Sequence, residues 1–140
     1  MSADEEHRIP VSGANRRICA AASRWDGVQM APHRFGGVEF RLGRREIGHI
    51  HGDSLVDIPF PKRVRDEIVA AREAEPHHIL PSSGWISLYL RAEEDVDRAI
   101  RLLERSFLLA KAHRAAPAER GHTEAVGEKD SLAAQQPLPK

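Results

Sequence analysis

Histidine is the side chain most often used for proton transfer and metal ligation near neutral pH. Here several histidines stand in short-range patterns. The run Glu46-Ile47-Gly48-His49-Ile50-His51-Gly52-Asp53 sets His49, His51 and Asp53 at i, i+2 and i+4. If Gly48 and Ile50 face a core, strand alternation turns those three toward the opposite face. Neighbouring same-face histidines can converge on an ion about 2 Å from each ring nitrogen, which makes His49 and His51 candidate zinc ligands. With Asp53 they are equally the candidate catalytic residues for general acid–base work. A catalytic zinc needs a third protein ligand, and His33, Asp57 or the pair His77-His78 are available, without the spacing choosing between them. The plainer reading is that these histidines hydrogen-bond neighbouring strands on a solvated face.

Two further groups carry weight. Trp85 and Tyr89 share a strand parity, so with His77 and His78 they are candidate ligand-binding residues on an open sheet face, able to stack a base or a flat molecule. Arg34, Arg41, Arg44 and Arg45 crowd into twelve residues with Glu39 as the one opposing charge. Arg41, Arg44 and Arg45 are therefore the candidate nucleic-acid contacts of an alternative reading. Gly36-Gly37 lies between strands and opens no helix, so it is not a phosphate loop. Cys19 sits in a helical pattern, and Ser82-Ser83 has no elbow spacing, so neither forms a nucleophile motif.

These residues need elements to position them. Ile18, Ala21, Ala22 and Trp25 follow helical spacing and predict a first helix over 13–26. Val28 and Met30, then Val38, Phe40 and Leu42, alternate around Gly36-Gly37 as a hairpin, and Gly43-Arg44-Arg45 turns into a strand over 46–51. Val56, Ile58 and Phe60 give another strand, and Pro61 opens a short helix carrying Val64, Ile68 and Ala71. Residues 84–91 alternate again, with Ile86, Leu88 and Leu90 on one face and Trp85, Ser87 and Tyr89 on the other. Val96, Ile100, Leu103, Phe107 and Ala110 predict a last helix from Glu93 to His113. The result is an α+β fold: an antiparallel sheet of about five strands, terminal helices packed on one face, and a short helix before the last strand.

The chain of 140 residues has room for one domain of roughly 100, expected over 13–113. Residues 1–12 and 114–140 are expected to be disordered, because the tail is too poor in large apolar side chains to offset the entropy of ordering. Lys and Arg total 21, as do Asp and Glu, so no net charge steers the molecule toward nucleic acid or anionic lipid. A single cysteine and the lack of an apolar span point to a cytoplasmic protein without membrane partners. A small-molecule ligand is the first candidate partner and nucleic acid the second. The residues fix neither a cofactor nor an oligomeric state.

Several blocks together carry a resemblance: Pro32 to Gly43 (PHRFGGVEFRLG), EIGHIHGD at 46–53, Asp57-Ile58-Pro59-Phe60-Pro61, Pro76-His77-His78-Ile79-Leu80-Pro81 and Ser83-Gly84-Trp85. They resemble the bacterial and fungal luciferase-domain family over about Trp25 to Ala110. Asp26 and Ser82 depart from the Pro and Asp the resemblance leads us to expect. The family has no agreed catalytic residues, so the likeness implies neither light emission nor a substrate. Trp85 to Leu90 and the helix bearing Ser106-Phe107 are similar also to the YjbR-like family. That likeness implies a frataxin-like fold and suggests DNA binding.

Overall fold

The computed structural model describes residues 11–33 and 36–115. The chain runs α1 (Ala14–Ala22), β1 (Val28–His33), β2 (Gly37–Leu42), β3 (Arg45–His51), β4 (Leu55–Pro59), α2 (Lys62–Ala70), β5 (Glu75–Pro76), β6 (Trp85–Tyr89) and α3 (Glu93–Ala115). One six-stranded sheet has the order β1-β2-β3-β4-β6-β5, and every neighbouring pair is antiparallel. The architecture is the α+β arrangement expected from the sequence. The extra strand is β5, two residues long and too short to show an alternation.

Alternation decides which side chains go inside. Phe40, Leu42, Ile47, Ile50, Val56, Ile58, Ile86 and Leu88 of the sheet share one hydrophobic cluster with Ile18 of α1, Val64 and Ile68 of α2, and Val96, Leu103 and Phe107 of α3. Each large aliphatic or aromatic side chain so buried contributes about 1.5–3 kcal/mol. Val11, expected to precede the domain, also packs against this cluster. The first helix ends at Ala22, short of the expected 26, yet Trp25 keeps its place by stacking on Phe107 with centroids 5.6 Å apart. The last helix continues two residues past His113, to Ala115. The rest of the two expected disordered ends, and Arg34, lie outside the described residues. No helix among the described residues is long and apolar enough to cross a membrane.

Two local features shape the other face of the sheet. Between β2 and β3 the register shifts, with Phe40 opposite Gly48 but Arg41 opposite Glu46, so Ile47 is the extra residue of a β-bulge. The bulge lets Ile47 stay in the core while Glu46 comes round to the face of His49, three residues on. The second feature is the turn after β3. Asp53 leaves the strand there, and its Oδ1 accepts the Asn15 N–H at 2.7 Å. Gly13, at the helix N-cap, has no side chain to do this, so the turn satisfies one of the free N–H groups of α1. The expected grouping of Asp53 with His49 and His51 is corrected accordingly: its carboxylate serves a helix end.

Gly48 carries the closest approach between the layers. A Cβ built there, at φ 154°, would lie 2.4 Å from Leu103 Cδ1 of α3 and 3.2 Å from the Asp57 carbonyl oxygen. Neither the packed helix nor the paired strand can yield without cost. We expect Gly48→Ala to lower unfolding stability by about 1–3 kcal/mol, the range for overpacked cores. Urea denaturation checks this, and an unchanged midpoint would show that α3 does not press on the bulge.

Candidate functional site

Cross-strand register builds a polar row on the face away from the shared core. Ala31 stands opposite Glu39, Glu39 opposite His49, His49 opposite Asp57, Asp57 opposite Ser87, and Ser87 opposite Glu75. Directly paired residues have Cβ atoms about 4.5–5.5 Å apart, so neighbours in the row are within reach of one another. Asp57 occupies the middle and is 0% exposed. A lone carboxylate there would cost several kcal/mol to desolvate.

Its partners arrive from three segments. Oδ2 of Asp57 lies 3.2 Å from His49 Nε2 and 3.1 Å from His51 Nε2, both on β3. His77 and His78, in the connection from β5 to β6, bring their Nε2 atoms to 3.6 and 3.5 Å from the same oxygen. Oδ1 accepts the Ser87 hydroxyl at 2.7 Å, while Ser87 Oγ accepts the His78 N–H at 3.3 Å. Burial alone would raise the Asp57 pKa, but the hydrogen bonds from His49, His51, His77 and Ser87 outweigh it and hold the carboxyl far below the usual range.

His49 sits between two carboxylates, with Nδ1 2.6 Å from Glu46 Oε2 and Nε2 facing Asp57. Burial pulls its pKa down. Hydrogen bonds to Asp57 and Glu46 prevail and push it up to about 9, so the imidazolium donates to both. His33 stacks on His49 with centroids 4.0 Å apart and pairs through Nδ1 with Glu39 Oε1 at 2.9 Å. Burial also favours the protonated form of Glu39, yet its bonds to His33 and Arg41 lower its pKa overall. Five of the eight histidines, His33, His49, His51, His77 and His78, thus belong to one cluster.

The two rings of the His77-His78 pair differ in role. His77 Nδ1 accepts the N–H groups of Ile79 and Leu80, both at 3.1 Å. In the neutral ring its proton is therefore on Nε2, aimed at Asp57. The cluster meets solvent at His51 and His78, whose side chains are 31% and 35% exposed.

Trp85, expected on an open face, is 1% exposed and has the rings of His49 and His77 against it, at 5.4 and 5.9 Å. It backs the cluster and is not available for stacking from solvent. Its Nε1 and Glu46 Oε1 have no hydrogen-bond partner among the described residues. Tyr89 stands at the edge of a neighbouring pocket of about 420 Å³ whose lining includes Arg72, Glu75, Pro76, Ser87 and Arg91. Ser87 is common to pocket and cluster. The Arg91 guanidinium lies 4.9 Å from the Tyr89 ring centroid. Burial, then Glu75 and Asp57, raises the Tyr89 pKa.

The arginine group is divided. Arg41 donates to Glu39 Oε2 at 2.6 Å and to the Arg44 carbonyl oxygen, which ties it to the edge of the histidine network. Arg44 is exposed in the turn and Arg45 begins β3. Among the residues brought together, Glu39, Glu46 and the Asp57-Ser87 bond went unread in the sequence. The parity of Ser87 was legible, but the bulge that turns Glu46 toward His49 was not.

The family model of the Luciferase domain matches residues 44–106, which bears out the luciferase-domain resemblance over that stretch; the block from Pro32 to Gly43 lies before it. The match spans β3, β4, α2, β5 and β6 and so includes Glu46, His49, His51, Asp57, His77, His78, Trp85 and Ser87. No curated protein and no solved structure gives a significant match.

Linkage turns the His49 shift into a pH dependence. A histidine whose pKa is raised on folding contributes stability that is full below its unfolded value near 6.5 and fades as pH rises through about 9. For chelator-treated protein we expect a loss on the order of 3 kcal/mol over that window, at about 1.4 kcal/mol per unit. Glu46→Gln should flatten the slope. Urea unfolding from pH 6 to 10 reads both, and equal slopes in the two proteins would dismiss the Glu46–His49 bond as its source.

Proposed function

We propose, from the Luciferase-domain match over residues 44–106 and the cluster it spans, that the chain is a small-ligand-binding domain of enzymatic type working at the Asp57 face. The observation that carries this reading is a fully buried carboxylate with four imidazole Nε2 atoms within 3.6 Å, two of the rings reaching solvent. A carboxylate and an imidazole with perturbed ionisation, Asp57 and His49, beside rings that reach solvent are the usual equipment of a site that handles protons. A polar molecule docks at His51 and His78, the rings of the cluster that reach solvent. His78 gives or takes the proton, and His77 and Asp57 hold it in place. The single cysteine supports a cytosolic setting.

Nucleic-acid binding through the Arg44 turn remains the second reading. It is favoured by exposed Arg44 and weakened by the commitment of Arg41 to Glu39. A fragment screen followed by proton–nitrogen correlation spectra of the histidine rings separates the two. We expect bound fragments to shift His51 and His78, and His78→Ala to weaken them about tenfold, roughly 1.4 kcal/mol. Fragments that bind only elsewhere would sink the proposal. Salt-sensitive shifts at Arg44 on adding an oligonucleotide would favour the second reading.

A further inference from the structure

We infer that the β3 side of this cluster is a binding site for one divalent transition-metal ion of the zinc class, held by His49 Nε2, His51 Nε2 and Asp57 Oδ2. The inference rests on the proposed working face and names its cofactor. Four ligand atoms about 2.1 Å from a zinc ion stand roughly 3.4 Å from one another. Asp57 Oδ2 is 3.2 Å from one of these nitrogens and 3.1 Å from the other, and all three atoms lie within 4.8 Å of each other. The ligands are therefore already at coordination spacing.

Three arguments choose this set over the others. The first is charge. At formal charges Glu46 and Asp57 place two negatives in a region closed to water, and a protonated His49 returns one. A divalent ion with a neutral His49 returns both. The second is what stands behind the ligand. Metal-bound histidines ordinarily donate their other N–H to a carboxylate, which fixes the tautomer and the ring. Glu46 Oε2, 2.6 Å from His49 Nδ1, stands in that position.

The third argument excludes the neighbouring triad of Asp57, His77 and His78. His77 accepts two backbone N–H groups on Nδ1, so its Nε2 keeps the proton and has no lone pair for a metal. The grouping of His33, Glu46 and His49 lies on the Nδ1 side of His49, where Glu46 Oε2 stands as the carboxylate that orients the ring. Three protein ligands leave a fourth position, and the partial exposure of His51 puts it toward solvent, as in catalytic and not structural zinc sites. A bound ion supplies Lewis acidity there, and His78 remains across Asp57 as the proton carrier.

The test is titration of the chelator-treated full chain with cobalt(II), then zinc(II), read by the visible absorption of four-coordinate cobalt and by calorimetry. We expect one equivalent to bind wild type, Glu46→Gln to weaken it about tenfold or more, and His51→Ala to lose it. His78→Ala should bind as wild type does. His51 and His78 are both partly exposed, so this pair remains informative even if Glu46→Gln does not fold. Failure of wild type to bind one equivalent, or a loss in His78→Ala matching that in His51→Ala, overturns the assignment. Fragments that still dock at His51 and His78 on a protein that takes no metal would remove the metal alone. Metal uptake with no docking at those rings would instead remove the ligand-binding reading and keep the metal.

Discussion

The carboxylate of Asp57 is the constraint to which the rest of the sheet answers. Buried without partners it would cost several kcal/mol, more than a domain of this size can spare from a net stability of about 5–15 kcal/mol. Its hydrogen-bonding and charged neighbours come from β3, from the β5–β6 connection and from β6. All three must be in register for the charge to be tolerated. A one-residue slip of β4 would exchange Asp57 with Val56 or Ile58, sending the carboxylate into the helix-covered core. The polar row and the apolar core therefore specify the same pairing from opposite sides of the sheet.

Much of this was legible in the residues. The alternation of Phe40 and Leu42, of Val56 and Ile58, and of Ile86 and Leu88 fixes which side of each strand is dry. It also puts His49 and His51 together on the other side. The i, i+4 extension to Asp53 failed because the strand period stops at His51. Beyond it, the turn delivers the carboxylate to the N-terminus of α1, a tertiary contact no local pattern announces. Glu46 was hidden for the opposite reason. An extra residue in the strand, Ile47, reverses parity, and no residue in the local pattern marks where that bulge falls. Trp85 was given the right parity and the wrong exposure, since alternation cannot tell that two histidine rings will pack against it.

A cluster of this kind is an expensive way to fill a sheet face. Replacing buried ionic groups with well-packed apolar ones is often neutral or stabilising, so polar burial by itself is poor support for a stabilising role. The arrangement breaks the local rule that strands bury apolar side chains, and it does so with five histidines in one place. Such violations concentrate where a protein handles protons, ions or ligands. Four of the five histidines, His49, His51, His77 and His78, lie within the Luciferase-domain match, and His33 lies before it, while the basic turn contributes Arg44 and Arg45 to its first residues.

The division of labour within the cluster follows from the two unlike nitrogens of each ring. Where a carboxylate stands behind Nδ1, as Glu46 does at His49, the far nitrogen is oriented and made basic, which suits a ligand for a cation. Where backbone N–H groups stand there, as at His77, the far nitrogen is left as a donor. Both kinds of ring point at the same oxygen of Asp57. One carboxylate therefore gathers, on the β3 side, a ring whose Nε2 could give up its proton to a cation and, on the other, a ring whose Nε2 keeps it, and a molecule entering between His51 and His78 would meet both.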